Sequence, residues 1–232
     1  MIKNTCYIFA RGGSKGIKNK NIVKINNKPL IYYTIKEAKK SKYISRIVVS
    51  TDDIKIKKIA KKYKVEILNR PKKLASDKSP ELLSWRHAIK ISNKKNDLNE
   101  PFISLPTTSP LRSFKDINRA IEKYYKNNHD IIIGVTPSQR NPYLNMVKIK
   151  KNKLKLVNSL NKFYRRQDVP DVYDVTTLIY VANKKYINKC KKIIEGNVGY
   201  IIVPKERSLD IDDKHDLKIA RLLLKKWKIK IY

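Results

Sequence analysis

The chain has 232 residues, with 54 Lys and Arg against 20 Asp and Glu, for a formal net charge of +34. That length suits one α/β domain with a small elaboration and leaves little room for a second core. Such charge draws proteins toward polyanions, but the lysines are scattered, Arg is scarce beside Lys, and no recognition module's signature is present, which argues against specific nucleic-acid binding.

The two cysteines, Cys6 and Cys190, form no disulfide framework, and His87, His129 and His215 lie too far apart for zinc spacing. No apolar run reaches membrane-spanning length and no signal-peptide core precedes the first charges, so a soluble cytoplasmic protein without membrane contact is expected.

The run Thr5-Cys6-Tyr7-Ile8-Phe9 predicts a first strand. The loop that follows, 10–21, holds three of the six glycines and four cations. Glycine lets main-chain N–H groups approach an anion and adopt the positive φ angles of a nest, while Arg and Lys neutralise its oxygens. The loop therefore predicts a polyphosphate site, although it matches neither common glycine-rich phosphate motif and also reads as a turn with solvated lysines. Helices at 29–38, 54–63 and 81–92 alternate with strands at 46–50, 65–68 and 102–105, and Ser113 with Asp116 predicts a capping box opening a helix to 125. Such βαβ units predict a mostly parallel sheet flanked by helices, with ligands beyond the carboxyl ends of its strands. Polar motifs fall at those ends. Asp52 and Asp53 follow the second strand, where an Asp serves equally as a helix cap. Arg70 and Asp77 follow the third. Thr108, Ser109 and Arg112 follow the fourth, on a loop fixed by Pro106 and Pro110.

After a strand at 131–135 the rhythm breaks. Alternation over 143–150 and 154–156 around a turn at 151–153 predicts a β-hairpin excursion. Arg165-Arg166-Gln167-Asp168 reads as a loop, followed by strands at 172–181 and 199–203 and helices at 184–194 and 214–227. Before the last helix, Asp210 and Asp212 stand at i and i+2, on one side of an extended segment. Two convergent carboxylates suit Mg²⁺, while Asp213 reads as a helix cap.

The segments Ala10-Arg11-Gly12-Gly13-Ser14-Lys15-Gly16-Ile17 with Lys20-Asn21, Arg70-Pro71 with Leu74-Ala75-Ser76-Asp77, Thr108-Ser109-Pro110-Leu111-Arg112, Arg166-Gln167, and Ser208 with Asp210-Ile211-Asp212 resemble, in order, motifs of the acylneuraminate cytidylyltransferases. Those enzymes make CMP-sialic acid and related CMP-nonulosonates. The resemblance implies a Rossmann-like nucleotidyltransferase fold and a single domain over 1–232 with a dimerisation insertion at 138–172. It also implies a homodimer whose sites both chains complete. The implied activity is Mg²⁺-dependent transfer of CMP from CTP to an acidic 3-deoxy-2-ulosonic sugar, with release of pyrophosphate, for surface glycans such as lipopolysaccharide or capsule.

In that reading Ala10, Arg11, Gly12, Gly13, Ser14, Lys15, Gly16, Lys20, Asn21, Arg70 and Asp77 hold the nucleotide. Lys15 and the loop backbone cradle the triphosphate, Lys20 steadies charge at the α-phosphate, Asn21 holds the ribose and Arg70 assists pyrophosphate departure. Thr108, Ser109, Arg112, Arg166 and Gln167 meet the acceptor, Asp210 and Asp212 bind the metal, and Arg11, Lys20 and Asp212 are catalytic. The chain departs from the family on the expected sugar side. Pro106-Thr107 replaces a Gln, an Asn-Gly pair is missing near 173–177, and Glu81 stands where a Ser is common. The acceptor thus stays open, with an octulosonate cytidylyltransferase or another sugar nucleotidyltransferase as the alternative and a noncatalytic basic nucleic-acid binder as a third reading. All of it requires the first loop and 210–212 to share one cleft.

Overall fold

The computed structural model describes residues 4–94, 101–158 and 165–227. In chain order its elements are β1 (Asn4–Phe9), a two-residue hairpin of β2 (Lys24–Ile25) and β3 (Lys28–Pro29), α1 (Leu30–Lys40), β4 (Ile44–Thr51), α2 (Ile54–Lys62), β5 (Glu66–Asn69), α3 (Glu81–Lys94), β6 (Phe102–Ser104), α4 (Phe114–Lys126) and β7 (Ile131–Pro137). Then follow β8 (Val147–Lys150), β9 (Lys153–Leu156), β10 (Tyr173–Ala182), α5 (Lys184–Lys189), β11 (Val198–Ile202) and α6 (Lys214–Trp227).

β1 is buried on both faces, as a central strand of a helix-covered sheet must be. Cys6 and Ile8 pack with Ile35 of α1, Ile56 of α2 and Ile117 of α4, while Tyr7 turns to Trp85 of α3 and Ile187 of α5. The seven strands run in the order β11-β7-β10-β6-β1-β4-β5. Only β10 is antiparallel to its neighbours β6 and β7. From β1 the chain builds outward through β4 and β5, then returns to lay β6 on the other side of β1. This reversal opens a crevice at the carboxyl ends of β1 and β6, where open α/β sheets bind ligands. The expected mostly parallel α/β architecture is observed.

A third cluster joins distant parts of the chain: Ile17 of the first loop, Ile25 and Leu30 pack with Ile211, Leu217 and Ala220. Burying each such Ile or Leu contributes roughly 1.5–3 kcal/mol, so this cluster docks α6 and the segment before it beneath the first loop.

Two local expectations are corrected. α5 ends at Lys189, not 194, because Cys190 turns extended and Arg86 takes the carbonyls of Ile187 (2.9 Å) and Cys190 (2.6 Å). The capping box is half formed: Ser113 accepts from the Lys115 amide (3.2 Å), but Asp116 is buried against Arg207 (2.8 Å) instead of reaching back. The hairpin excursion is present as β8 and β9, joined by Lys151 and Asn152 at φ 51° and 58°, both positive as a type I′ turn requires. Both of its strands are exposed throughout. Among the described residues no helix is long and apolar enough to cross a membrane.

Candidate active site

The crevice is a cleft of about 660 Å³. Its two ends are tied together. A Cβ on Gly16 would lie 2.5 Å from the Asp212 backbone oxygen, so the first loop approaches the 210–212 segment more closely than any side chain allows. Lys20 Nζ donates to the Ile211 carbonyl (2.8 Å), 191 residues away in the chain, and to Asp212 Oδ1 (3.0 Å). The Ile211 amide in turn donates to the Thr108 carbonyl (2.9 Å), joining the segment to the loop after β6.

The first loop is not the expected nest. No glycine among the described residues has positive φ; Asn19, at φ 56°, takes the left-handed turn instead. The Gly12 amide donates to Asp52 Oδ1 (3.0 Å), and a Cβ there would meet Asp53 Oδ2 at 2.8 Å, so this glycine serves close packing. Asp53 is a helix cap, accepting from the amides of Lys55 (2.7 Å) and Ile56 (2.9 Å). Ala10 is fully buried, with its amide on the Ser50 carbonyl (3.0 Å). Ala10, Gly12 and Gly13 therefore do not line the cleft, whereas Arg11, Ser14, Lys15, Gly16, Lys20 and Asn21 do.

Opposed charges span the mouth. Asp77 pairs with Arg11 (2.7 Å) and Lys15 (3.1 Å), which hold its carboxyl below the usual range, with Lys15 the larger influence. Asn21 donates to the Arg11 carbonyl (2.9 Å) and accepts from Thr107. Arg70 also lines the cleft, but it is buried, with its guanidinium on the Ser50 carbonyl (3.1 Å) and over the Phe9 ring (5.5 Å). Burial lowers its pKa to about 10.

Of Thr108, Ser109, Arg112 and Gln167, the described residues expected to meet the acceptor, only Thr108 lines the cleft. Arg112 is 3% exposed and donates to the carbonyls of Leu178 (2.6 Å) and Pro106 (2.7 Å) and to Thr34 Oγ1 (2.9 Å), with burial lowering its pKa to about 10. It points into the protein rather than at a ligand because unpaired carbonyls in a turned strand need donors. That turn is a register shift in β10 between Thr176 and Tyr180, and it carries Thr177 to the cleft, where Thr177 meets Ser109 Oγ (2.9 Å). Ser109 is itself buried. Gln167 is exposed in a turn outside the cleft lining of this chain. The side chain of Arg166 lies outside the described residues. Leu74 and Ser76, within a quoted motif, and Thr177, within 173–177, were given no site role, and sequence reasoning missed Phe9, Ser79 and Ser84; all six line the cleft. Each lies within or beside a recognised motif, and only adjacency could have signalled them.

Ile211 is fully buried, so Asp210 and Asp212 face the other way, both onto the cleft. Asp210 Oδ1 is buried with no hydrogen-bond partner among the described residues. No group of three or more His, Cys, Asp or Glu gathers among them as a metal site. Two carboxylates, one with an orphaned oxygen, fit Mg²⁺, a hard cation that fills its remaining positions with water and phosphate oxygens. Asp213 is the cap of α6, accepting from the amides of His215 (2.7 Å) and Asp216 (3.0 Å).

A doubly wound sheet whose switch-point cleft sets Arg11, Lys15, Lys20 and Arg70 among the carboxylates of Asp77, Glu81, Asp210 and Asp212 defines a nucleotide-binding α/β protein. Residues 5–224 match the family model described as Cytidylyltransferase, and the chain belongs to that family. It is 38% identical to the post-translational flagellin modification protein B of Campylobacter coli, over 95% of this chain and 94% of that one. It is 37% identical to the CMP-N,N'-diacetyllegionaminic acid synthase of Campylobacter jejuni, over 97% and 96%. Among solved structures, a CMP:2-keto-3-deoxy-manno-octonic acid synthetase complexed with CTP shares the fold, with TM-score 0.74 at 14% identity over 98% of this chain and 100% of that one.

Proposed function

We propose that the protein transfers CMP from CTP to the anomeric hydroxyl of an acidic 3-deoxy-2-ulosonic sugar of the nonulosonate type. The sugar oxygen forms a bond to the α-phosphorus, the α–β bridging bond breaks, pyrophosphate leaves, and the hydroxyl proton passes to solvent. The observation that carries this reading is the single cleft in which a cationic loop and two carboxylates from the far end of the chain meet. The relatives named for CMP-nonulosonate synthesis point to the same chemistry.

Nucleotidyl transfer needs in-line placement and charge neutralisation more than covalent help. Arg11 and Lys15, now paired with Asp77, would exchange that carboxylate for triphosphate oxygens. Lys20, held beside Asp212, would face the α-phosphate, and Asn21 the ribose. Asp210 and Asp212 would hold Mg²⁺, which supplies Lewis-acid polarisation of a phosphoryl oxygen. Thr108 and Thr177 would orient the acceptor, while Arg112 positions the β10 turn behind them.

The protein would act as a homodimer. Val147 pairs with Leu156 and Ile149 with Leu154, giving the exposed hairpin one apolar face suited to a second copy. The test is pyrophosphate release with CTP, Mg²⁺ and a panel of legionaminate, pseudaminate, N-acetylneuraminate and 3-deoxy-octulosonate. Release that depends on CTP and one of the nonulosonates is expected. Preference for the octulosonate would support the alternative acceptor, and salt-sensitive DNA binding without turnover would overturn the enzymatic reading.

A further inference from the structure

Glu81 opens α3 and lines the cleft. It lies four residues beyond Asp77, the partner of Arg11 and Lys15, and so belongs to the wall that carries the nucleotide loop's counter-charge. Two flat groups border that wall: the Phe9 ring and the Arg70 guanidinium stacked 5.5 Å from its centre. Trp85, fully buried and 6.4 Å from Phe9 between ring centres, donates Nε1 to Glu81 Oε1 (3.2 Å). This bond fixes which carboxyl oxygen is spent. Among the described residues no hydrogen bond reaches Oε2, so this oxygen of a cleft-lining residue keeps its accepting capacity. Thr108 and Thr177, where the acceptor sugar was placed above, reach the same cleft from other elements, the loop after β6 and strand β10.

We infer that Glu81 selects the base of the nucleotide, its free carboxylate oxygen accepting the exocyclic amino group of cytosine and repelling the carbonyl that uracil presents at the same position. A carboxylate accepting from cytosine N4 is an established pairing chemistry, and stacking on aromatic and guanidinium planes holds a base without specifying it. Glu81 thus sits on the nucleotide side, not on the sugar side where its departure from the family first suggested it. The inference rests on the proposed nucleotidyl transfer.

The experiment compares CTP and UTP in pyrophosphate release, with the best acceptor of the panel, for the wild type, Glu81→Gln and Glu81→Ser. In Glu81→Gln the Trp85 donor still requires an oxygen at Oε1, so the amide nitrogen must face the cleft and offer a hydrogen to uracil. The CTP-to-UTP ratio of kcat/KM should therefore fall by about 10- to 100-fold, as expected for a charge-assisted hydrogen bond replaced by a mismatched donor. Glu81→Ser should lower it too, without improving UTP. Calorimetric binding of CTP and UTP gives the same ratio independently of turnover. A ratio within about twofold of wild type in both variants overturns the inference. So does a change confined to the acceptor KM, which would return Glu81 to the sugar. Absence of turnover by the wild type with every acceptor would instead defeat the proposed function, leaving the binding ratio to judge Glu81.

Discussion

Single side chains in this cleft are held by partners that set their charge. Among the described residues Asp210 has a buried oxygen with no partner, and the Asp212 carboxylate is paired with Lys20. Asp210→Asn or Asp212→Ala should cut kcat by at least about 10²-fold while leaving the circular dichroism spectrum and melting temperature close to wild type. Unchanged turnover in either variant would remove the metal assignment. Glu81 supplies a pH test. The residue is open to the cleft, yet its carboxyl is crowded enough that burial raises its pKa, opposed by Trp85 and Arg70 and reinforced by Asp210. A raised carboxyl means that the folded state binds the proton more tightly than the unfolded chain, so ionisation destabilises the fold as pH rises through the shifted value. Glu81→Gln should therefore melt higher than wild type at neutral pH. The difference should close as pH falls toward the ordinary Glu value of about 4.3. A difference that stays constant across that window would show that Glu81 carries no such shift. At this scale the sequence was only partly legible. A cleft shared by the first loop and 210–212 followed from the motifs, but nothing local showed that Lys20 pairs with Asp212 or that Arg112 is spent on the carbonyls of Pro106 and Leu178. Exposure of an arginine depends on what packs over it.

Elements in this protein matter through how closely they approach. The first loop and the 209–213 segment are fitted across Gly16, with Ile17 and Ile211 buried together beneath them. Gly16→Ala drives a Cβ to 2.5 Å from the Asp212 oxygen, so one of the two segments must move. We expect a lowered melting temperature and a loss of about 10²-fold in kcat/KM for CTP, the scale of an ångström-level misplacement of reacting groups. Gly13→Ala points its Cβ into open space and should melt with wild type. Equal melting of the two variants would show that the close approach is unimportant. The alternation of strands and helices was readable from apolar spacing, because central strands and helix faces bury what they carry. The early end of α5 was not, since it depends on Arg86 reaching over from α3.

For the whole molecule, the open question is assembly. The β8–β9 hairpin leaves Ile149 77% and Leu154 68% exposed on one face, with Lys148 and Lys155 on the other. If this face joins two copies, Ile149→Glu with Leu154→Glu should sediment as a monomer where wild type sediments as a dimer. A monomeric wild type would sink the proposal.

The sequence by itself determined the α/β class, the order of its elements and the motifs proposed to meet the nucleotide. Each is a local pattern: apolar period, glycine among cations, aspartates two apart. Only the tertiary structure decided which of those residues face the cleft. It turned Arg112 inward, spent Gly12 on packing against Asp53 and brought Thr177 and Glu81 to the lining. The reason is physical: which way a side chain points, and what satisfies it, depends on neighbours contributed by distant parts of the chain.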